Sequence, residues 1–248
     1  MDFAVEAVKE AGRLTLDWFQ SSTLEAKSKA DGSPVTQADI AVETLLRQRL
    51  GERFPGDEVI GEEIDDEDGE KADNAARTWV IDPIDGTKAF VQGVPLYATL
   101  LAMVDHDGPA VGVIYLPGLD ECVWAGRGLG AFWNGSPCRV SDTATLDGAY
   151  VCTSGLSYWP ETALSKVREA GARVRTWGDA YGYALVATGR AAAMIDPQCA
   201  NWDVAAMPVI MAEAGGRFSN TSGKPDWENG SALGTNSAVH DELLSCFS

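Results

Sequence analysis

The sequence is poor in the residues that carry thiol, imidazole and basic chemistry. Its 248 residues include five cysteines, two histidines and 19 Lys or Arg, against 37 Asp or Glu, so the net charge is -18 at pH 7. An odd number of cysteines without a C-x-x-C pair argues against a disulfide framework or a thiol redox motif. No cysteine lies beside a histidine, as a cysteine nucleophile would require. The acidic balance argues against nucleic acid or anionic membrane as a partner.

Long apolar runs are also missing. No segment approaches the roughly 20 apolar residues that span a bilayer, and the N-terminal M-D-F lacks the basic-then-apolar layout of a signal peptide. We therefore expect a cytoplasmic protein with free thiols. The hydrophobic content of 45% is ordinary for a globular protein, and the length suits one large domain or two small ones.

The most informative motif is W-V-I-D-P-I-D-G-T at residues 79–87. It predicts a strand that enters a tight turn and holds Asp82 and Asp85 together at its tip. Like charges this close repel, and burying them unpaired costs several kcal/mol, so the motif indicates a bound cation. The alternative is an Asp-rich surface turn, with Thr87 at the start of a helix.

Two further acidic segments favour the cation. One is V-I-G-E-E at residues 59–63, and the other is N-W-D-V-A-A at 201–206, followed by E-A-G-G at 213–216. An N-cap role for Asp203 is the alternative there. The three segments together supply hard oxygen ligands, which suit magnesium or manganese rather than zinc or copper: Glu62, Asp82, Asp85 and Asp203.

These segments, in this order, resemble the inositol monophosphatase superfamily. Lesser matches, D-G-S-P-V-T-Q-A-D at 31–39 and G-A-F-W-N-G-S-P at 130–137, extend the resemblance over essentially the whole chain. The resemblance implies an α/β (mixed α+β) fold, a layered αβαβα sandwich, that acts as a lithium-sensitive phosphomonoesterase. It also implies two or three Mg²⁺ ions, for which Mn²⁺ can substitute, a small-molecule phosphomonoester substrate and a homodimer.

The resemblance assigns roles to particular residues. Its metal ligands correspond to Glu62, Asp82, the Ile84 carbonyl, Asp85 and Asp203. Its catalytic residues correspond to Thr87, which orients the attacking water, Asp39, which polarises that threonine, and Glu62. Its substrate-binding positions correspond to Asp85, Gly86, Thr87, Asp179, Asp196 and Asp203. A capping role alone is the alternative for Asp39, and Glu63 is either an acid that supports the ligands or a surface residue.

Hydrophobic periodicity divides the chain into two halves. Residues 1–138 predict an N-terminal α+β half with a mostly antiparallel sheet and the metal motifs, and residues 139–248 an α/β half that completes the site. Helical spacing predicts helices over 2–20, after Thr36, and near 160–170, 179–189 and 203–214. Strands are predicted near 79–81, 97–104, 110–116, 121–125, 149–153, 173–176 and 191–195. Pro208 lies inside the last helical pattern and is expected to shift its boundary. The acidic run at 62–70 is expected to be a solvated loop beyond Glu62.

Two segments point to the substrate. K-A-F at 88–90 and G-D-A-Y-G-Y-A-L-V-A-T-G at 178–189 resemble the histidinol-phosphate phosphatase branch. Asp179 and Asp196 would then meet a cationic amine, unless Asp179 only caps the following helix. The sequence thus predicts hydrolysis of L-histidinol phosphate to histidinol and phosphate, a step of histidine biosynthesis. The alternatives are an inositol or sugar-phosphate phosphatase, a haloacid-dehalogenase-type enzyme with an aspartyl-phosphate, and a catalytically dead metal-binding protein.

Overall fold

The computed structural model describes residues 1–29, 32–64 and 76–247. The helices in these ranges are α1 (Asp2–Leu14), α2 (Gln37–Arg53), α3 (Thr87–Val91), α4 (Glu161–Glu169), α5 (Asp179–Ala187), α6 (Asn201–Val204), α7 (Met207–Glu213) and α8 (His240–Ser245). The strands are β1 (Ala26–Ser28), β2 (Pro34–Thr36), β3 (Glu58–Gly61), β4 (Arg77–Asp85), β5 (Ala98–Asp105), β6 (Gly108–Leu116), β7 (Glu121–Gly126), β8 (Gly130–Trp133), β9 (Ser136–Pro137), β10 (Tyr150–Cys152), β11 (Arg173–Arg175), β12 (Ala193–Asp196), β13 (Arg217–Ser219) and β14 (Ala232–Thr235).

Two large sheets contain all of these strands except β1 and β2, which pair with each other. A seven-stranded sheet has the order β3-β4-β5-β6-β7-β8-β9, and only its β3–β4 pair is parallel. A five-stranded mixed sheet has the order β11-β10-β12-β14-β13. The first of these sheets is mostly antiparallel, and helices alternate with the strands of the second along the chain. The boundary near residue 138, between the two sheets, stays a prediction.

Alternating side chains place helices on both faces of each sheet. In β4, Ile81 packs with α1 and α2, whereas its neighbour Val80 packs with α5 and α7. In β10, Cys152 faces that same central helical layer, whereas Val151 packs with α4 and α8. Because successive strand residues point to opposite faces, these contacts build five layers. The predicted αβαβα sandwich is confirmed.

The first helix is shorter than its pattern predicts. It ends at Leu14 and a short 3₁₀ turn follows at 15–17, whereas helical spacing predicts a helix to residue 20. Phe19 instead packs on Phe90 and Tyr97, with ring centroids 5.9 and 5.1 Å apart. Tertiary packing of these aromatic rings therefore overrides the local helical pattern.

The helix predicted at 203–214 is divided in two. Helix α6 ends at Val204, and α7 begins at Met207 with Pro208 in its first turn. Proline is tolerated there because the first N–H groups of a helix have no partner within it. Pro208 thus shifts the boundary as expected, and the prediction of one continuous helix is wrong.

Two sequence expectations concern other parts of the chain. Residues 65–70 of the acidic run lie outside the described residues, as does residue 31 of the 31–39 motif. In the ranges that the structure describes, no helix is long and apolar enough to cross a membrane.

His240, at the start of α8, is fully buried and held neutral. Ser219 Oγ donates to the Asn220 carbonyl (2.7 Å), so it accepts from His240 Nε2–H (3.1 Å), and the Thr235 hydroxyl donates to Nδ1 (2.9 Å). Burial, aided by the nearby Arg217 charge and opposed by Asp241, lowers the His240 pKa to about 4. The ordinary value is near 6.5.

Acid should therefore destabilise the protein through His240. Between pH 6.5 and 4, His240 binds a proton in the unfolded chain but not in the folded protein. Its contribution to the free energy of unfolding is therefore present above pH 6.5 and is lost as the pH falls. We expect His240→Gln to remove about 2 kcal/mol of the loss in unfolding free energy between pH 7.5 and 5. Urea denaturation at both pH values measures it. His106→Gln, at the exposed second histidine, is the matched control, and equal pH slopes for all three proteins would contradict the assignment.

Candidate active site

A β-bulge brings the first two carboxylates together. Residues three apart point to opposite faces of a regular strand, but in β4 the pairing shifts between Asp82, opposite Leu100, and Asp85, opposite Ala98. Three steps on β4 thus match two on β5, the extra residue of a bulge. Thr99 Oγ1 donates to the Pro83 carbonyl (2.9 Å) and holds the bulge. Asp82 and Asp85 are both buried at the strand tip, so the surface-turn alternative is wrong.

The half-buried Asp203 completes a carboxylate trio with the buried Asp82 and Asp85. It is the third residue of α6, and its Oδ2 accepts the Ala200 N–H (2.8 Å), so it stabilises the first turn from within the helix rather than as N-cap. Carboxylate oxygens of Asp82, Asp85 and Asp203 lie within 4.8 Å of one another. Burial and the neighbouring carboxylates raise the pKa of Asp82 and Asp85 well above the usual range and that of Asp203 to about 7. Such a trio is stable as anions only with a cation among its oxygens.

The turn after the trio presents Gly86 and Thr87. Gly86 has a φ of 79°, in the left-handed region, and is the N-cap of α3. A β-carbon built on Gly86 would lie 3.1 Å from Asp179 Oδ2, so glycine allows that carboxylate to approach. The Thr87 hydroxyl donates to the Ile84 carbonyl (3.0 Å). Ile84, Gly86 and Thr87 line a cleft that Asp82, Asp85 and Asp203 also line.

Asp39 forms the predicted capping box. Its Oδ2 accepts from Thr36 N (2.8 Å) and Thr36 Oγ1 (2.5 Å), while its Oδ1 is buried without a hydrogen-bond partner among the described residues. Burial raises the pKa of Asp39 to about 6. Thr87 donates elsewhere in this structure, so its predicted polarisation by Asp39 stays a prediction.

Glu62 faces the same cleft from the end of β3 but stands outside the trio. Lys29 Nζ lies 2.6 Å from both Glu62 Oε1 and Glu63 Oε1. Burial raises the pKa of Glu63 to about 7 although Lys29 lowers it. The Glu63 side chain is therefore buried and shares Lys29 with Glu62, so it is not a surface group. Lys29 could not be identified from the sequence, because a single lysine in a polar segment belongs to no motif.

Asp85 also anchors the helix that carries Asp179. The Ala180 N–H donates to Asp85 Oδ2 (2.5 Å), which ties the tip of β4 to the start of α5. Gly178 is the N-cap of that helix, and its first two N–H groups donate to side chains outside the helix, Ser154 Oγ and Asp85 Oδ2, rather than to Asp179. The alternative that Asp179 only caps α5 is therefore wrong. Asp179 has a φ of 53°, and burial raises its pKa while Lys88 lowers it.

Asp196 is held by two residues that the sequence does not single out. Ser154 Oγ donates to Asp196 Oδ1 (2.6 Å), and the Tyr183 hydroxyl donates to Oδ2 (3.0 Å). Ser154 Oγ also accepts the Asp179 N–H (2.8 Å), so one hydroxyl connects the Asp196 carboxylate to the backbone at the start of α5. Burial raises the pKa of Asp196 to about 6. Ser154 belongs to no motif, and Tyr183 lies in the 178–189 segment, whose pattern gives no sign of a bond to Asp196, which is why sequence reasoning missed them.

One cleft of about 670 Å³ is lined by the trio, Glu62, the turn after β4, Asp179 and Asp196, whereas Asp39, Glu63 and Lys29 do not line it. Its walls contain the following acids: Glu62, Asp82, Asp85, Asp179, Asp196 and Asp203. An anionic ligand enters such a cleft only if bound cations reverse the local potential. The donors fit this requirement, since they are hard oxygens and Asp82 Oδ1 is buried without a hydrogen-bond partner in the described part of the chain. Cys199 also lines the cleft, but burial raises the pKa of its thiol, which argues against a thiolate nucleophile.

The layered fold and a carboxylate trio that could hold a metal ion are those of a phosphomonoester hydrolase, and the chain belongs to the inositol monophosphatase family, whose model matches residues 1–247. Among its relatives is a histidinol-phosphatase from Mycobacterium tuberculosis, 40% identical, with 98% of this chain and 95% of the relative covered. An inositol-1-monophosphatase from Mesorhizobium japonicum is 32% identical, with 98% and 94% covered. The crystal structure of the extragenic suppressor protein suhB from Bartonella henselae superposes with a TM-score of 0.91 at 28% identity, covering 100% of this chain and 98% of that one.

Proposed function

We propose that this phosphomonoester hydrolase acts on L-histidinol phosphate and releases histidinol and phosphate. The observation that carries the proposal is that one cleft contains both the trio and the carboxylates of Asp179 and Asp196. The trio suits a cation that binds the phosphate, and the Asp179 and Asp196 carboxylates suit a cationic amine. The histidinol-phosphatase relative, 40% identical over nearly the whole chain, supports the same substrate.

The proposed cofactor is Mg²⁺, with two or three ions and Mn²⁺ as a substitute. Glu62, Asp82, Asp85, Asp203 and the Ile84 carbonyl would hold it, because hard divalent cations prefer carboxylate and carbonyl oxygens. When bound, the metal would supply Lewis-acid activation of water and charge neutralisation at the phosphoryl group.

The chain's own groups position the reactants. The Gly86 and Thr87 N–H groups, at the turn after β4, are donors for phosphate oxygens. The Thr87 hydroxyl lies on the cleft wall, where it can hold a water for attack on phosphorus. Asp196, fixed by Ser154 and Tyr183, presents a carboxylate of fixed orientation to the alcohol part of the substrate.

The second candidate is an inositol or sugar-phosphate phosphatase. It is favoured by the inositol-1-monophosphatase relative at 32% identity. The metal chemistry would be the same, but a polyol offers hydroxyl groups and no positive charge to Asp179 and Asp196. A catalytically dead metal-binding protein, the remaining alternative, predicts cation binding without turnover of any phosphomonoester.

The substrate assignment is tested by Asp196→Asn. A charge-assisted hydrogen bond to an amine is worth about 1.5–3 kcal/mol, or about ten- to a hundredfold in kcat/KM. We expect wild type to prefer L-histidinol phosphate over myo-inositol 1-phosphate. The variant should lose that factor on L-histidinol phosphate and much less on glycerol 2-phosphate, which has no amine. Asp179→Asn is a second variant, since asparagine also tolerates a positive φ. A wild-type preference for the inositol ester would favour the second candidate.

The remaining proposals concern partners and location. We propose a small-molecule phosphate ester as the ligand, with no nucleic acid or membrane partner, a homodimer and a cytoplasmic location. The net charge of -18 supports the exclusion of polyanions.

A further inference from the structure

A buried glutamate on α2 holds the loop that carries Glu62. Glu43 is fully buried, and its Oε2 accepts the Glu63 N–H (2.8 Å) while its Oε1 accepts the Ile64 N–H (3.2 Å). These two N–H groups directly follow Glu62 in the chain. A carboxylate that accepts several hydrogen bonds in a dry environment fixes the backbone that donates them.

The residue before Glu62 is held by the same carboxylate. Gly61 is the last residue of β3, opposite Ile81 of β4, and a β-carbon built there would collide with the Glu43 carboxylate. Glycine is required here for space, since its φ lies outside the positive range. Glu43 therefore contacts the chain on both sides of Glu62.

Arg47 completes this arrangement one helical turn later. Its Nε donates to Glu43 Oε1 (2.8 Å), and its guanidinium donates to the carbonyls of Val59 (3.3 Å) and Ile64 (3.0 Å). The ion pair compensates the buried charge of Glu43. Glu62 lines the cleft, but Glu43 and Arg47 do not, so neither is placed to bind a cation or substrate directly.

We propose that Glu43 is a positioning residue for the metal site: it fixes the 61–64 backbone so that the Glu62 carboxylate faces the trio beside Asp82. The inference rests on the proposed metal site and deepens it. Residues that orient metal ligands from behind typically contribute about 10- to 100-fold to metal affinity. Glu43 should act wholly through Glu62, and this separates a positioning role from a general contribution to stability.

A double-mutant cycle on magnesium binding tests the inference. Mg²⁺ affinity is measured by titration calorimetry, without substrate, for wild type, Glu43→Gln, Glu62→Gln and the double variant. We expect Glu43→Gln to weaken Mg²⁺ binding about tenfold or more in wild type and to have no further effect when Glu62 is already changed. Glu52→Gln, an exposed glutamate on the same helix, is the matched control and should bind Mg²⁺ like wild type.

The possible results distinguish a failure of the proposed metal site from a failure of the proposed role of Glu43. If wild type binds no Mg²⁺, the proposed metal site fails together with the inference. If Glu62→Gln weakens binding but Glu43→Gln does not, or if the two effects are additive, the inference alone is overturned. Should Glu43→Gln fail to fold by circular dichroism, Glu43→Asp takes its place, because it keeps the charge but withdraws the carboxylate from the Glu63 and Ile64 N–H groups.

Discussion

Asp82→Asn should lower turnover about 10³-fold or more at saturating Mg²⁺ while leaving the fold intact. A catalytic metal supplies several kcal/mol of charge stabilisation in the transition state, and each 1.4 kcal/mol is a factor of ten. Asp82 is buried, and its Oδ1 has no hydrogen-bond partner in the described residues. Asparagine keeps the shape of that side chain but removes the charge that a cation would bind.

The same substitution should stabilise the metal-free protein. Without a cation, Asp82 faces Asp85 and Asp203, and this repulsion is part of why its pKa is raised. Removing one of the like charges relieves it, so the melting temperature in EDTA should equal or exceed that of wild type. Asp142→Asn, at an exposed aspartate, should change neither the turnover nor the melting temperature in EDTA. Wild-type activity in excess EDTA, or normal turnover by Asp82→Asn, would refute the metal assignment.

Thr87→Ala should lower kcat about 10²-fold and change KM little. The Thr87 hydroxyl lies on the cleft wall next to the trio and donates to the Ile84 carbonyl. Loss of one such orienting group typically costs about 10²–10³ in kcat, and a group that orients the attacking water acts mainly on kcat. Steady-state kinetics on the preferred substrate measures this. Thr87→Ser keeps the hydroxyl and should retain most of the activity.

Direct attack by water predicts that no covalent enzyme intermediate forms. If water attacks phosphorus directly, protein quenched during turnover should contain no stoichiometric phosphate label. A labelled aspartate would instead support the haloacid-dehalogenase-type alternative and would end the case for Thr87 as the residue that orients the nucleophile.

The parts of the site that sequence could predict are those with local patterns. The Thr36–Asp39 capping box and the strand before Asp82 depend on residues a few positions apart, and both are present. The αβαβα layers were predicted from resemblance rather than from periodicity. The sequence around Asp82 and Asp85 predicts a tight turn. It could not predict the shift in strand register, because the pairing with β5 depends on the tertiary fold.

The missed residues act over long sequence distances. Lys29 reaches Glu62, Glu43 reaches the Glu63 backbone and Ser154 reaches Asp196, across 33, 20 and 42 positions. None of the three lies in a recognisable sequence motif. From the sequence alone, each would be interpreted as an ordinary surface or core residue. The short α1 is a failure of the opposite kind, because a good local pattern was overridden by aromatic packing around Tyr97.

The bond between Asp85 and the Ala180 N–H has a consequence for how substrate preference can change. Any residue except proline supplies that N–H, so the anchor specifies the path of the chain and not its side chains. The path itself restricts position 179, whose φ of 53° favours aspartate, asparagine or glycine, while position 178 is limited to glycine by the Ser154 backbone. Exchanges at 179 that keep the backbone path therefore alter charge and little else. A change from an amine to a neutral alcohol could thus occur by a single exchange at residue 179, without altering the residues that hold the metal.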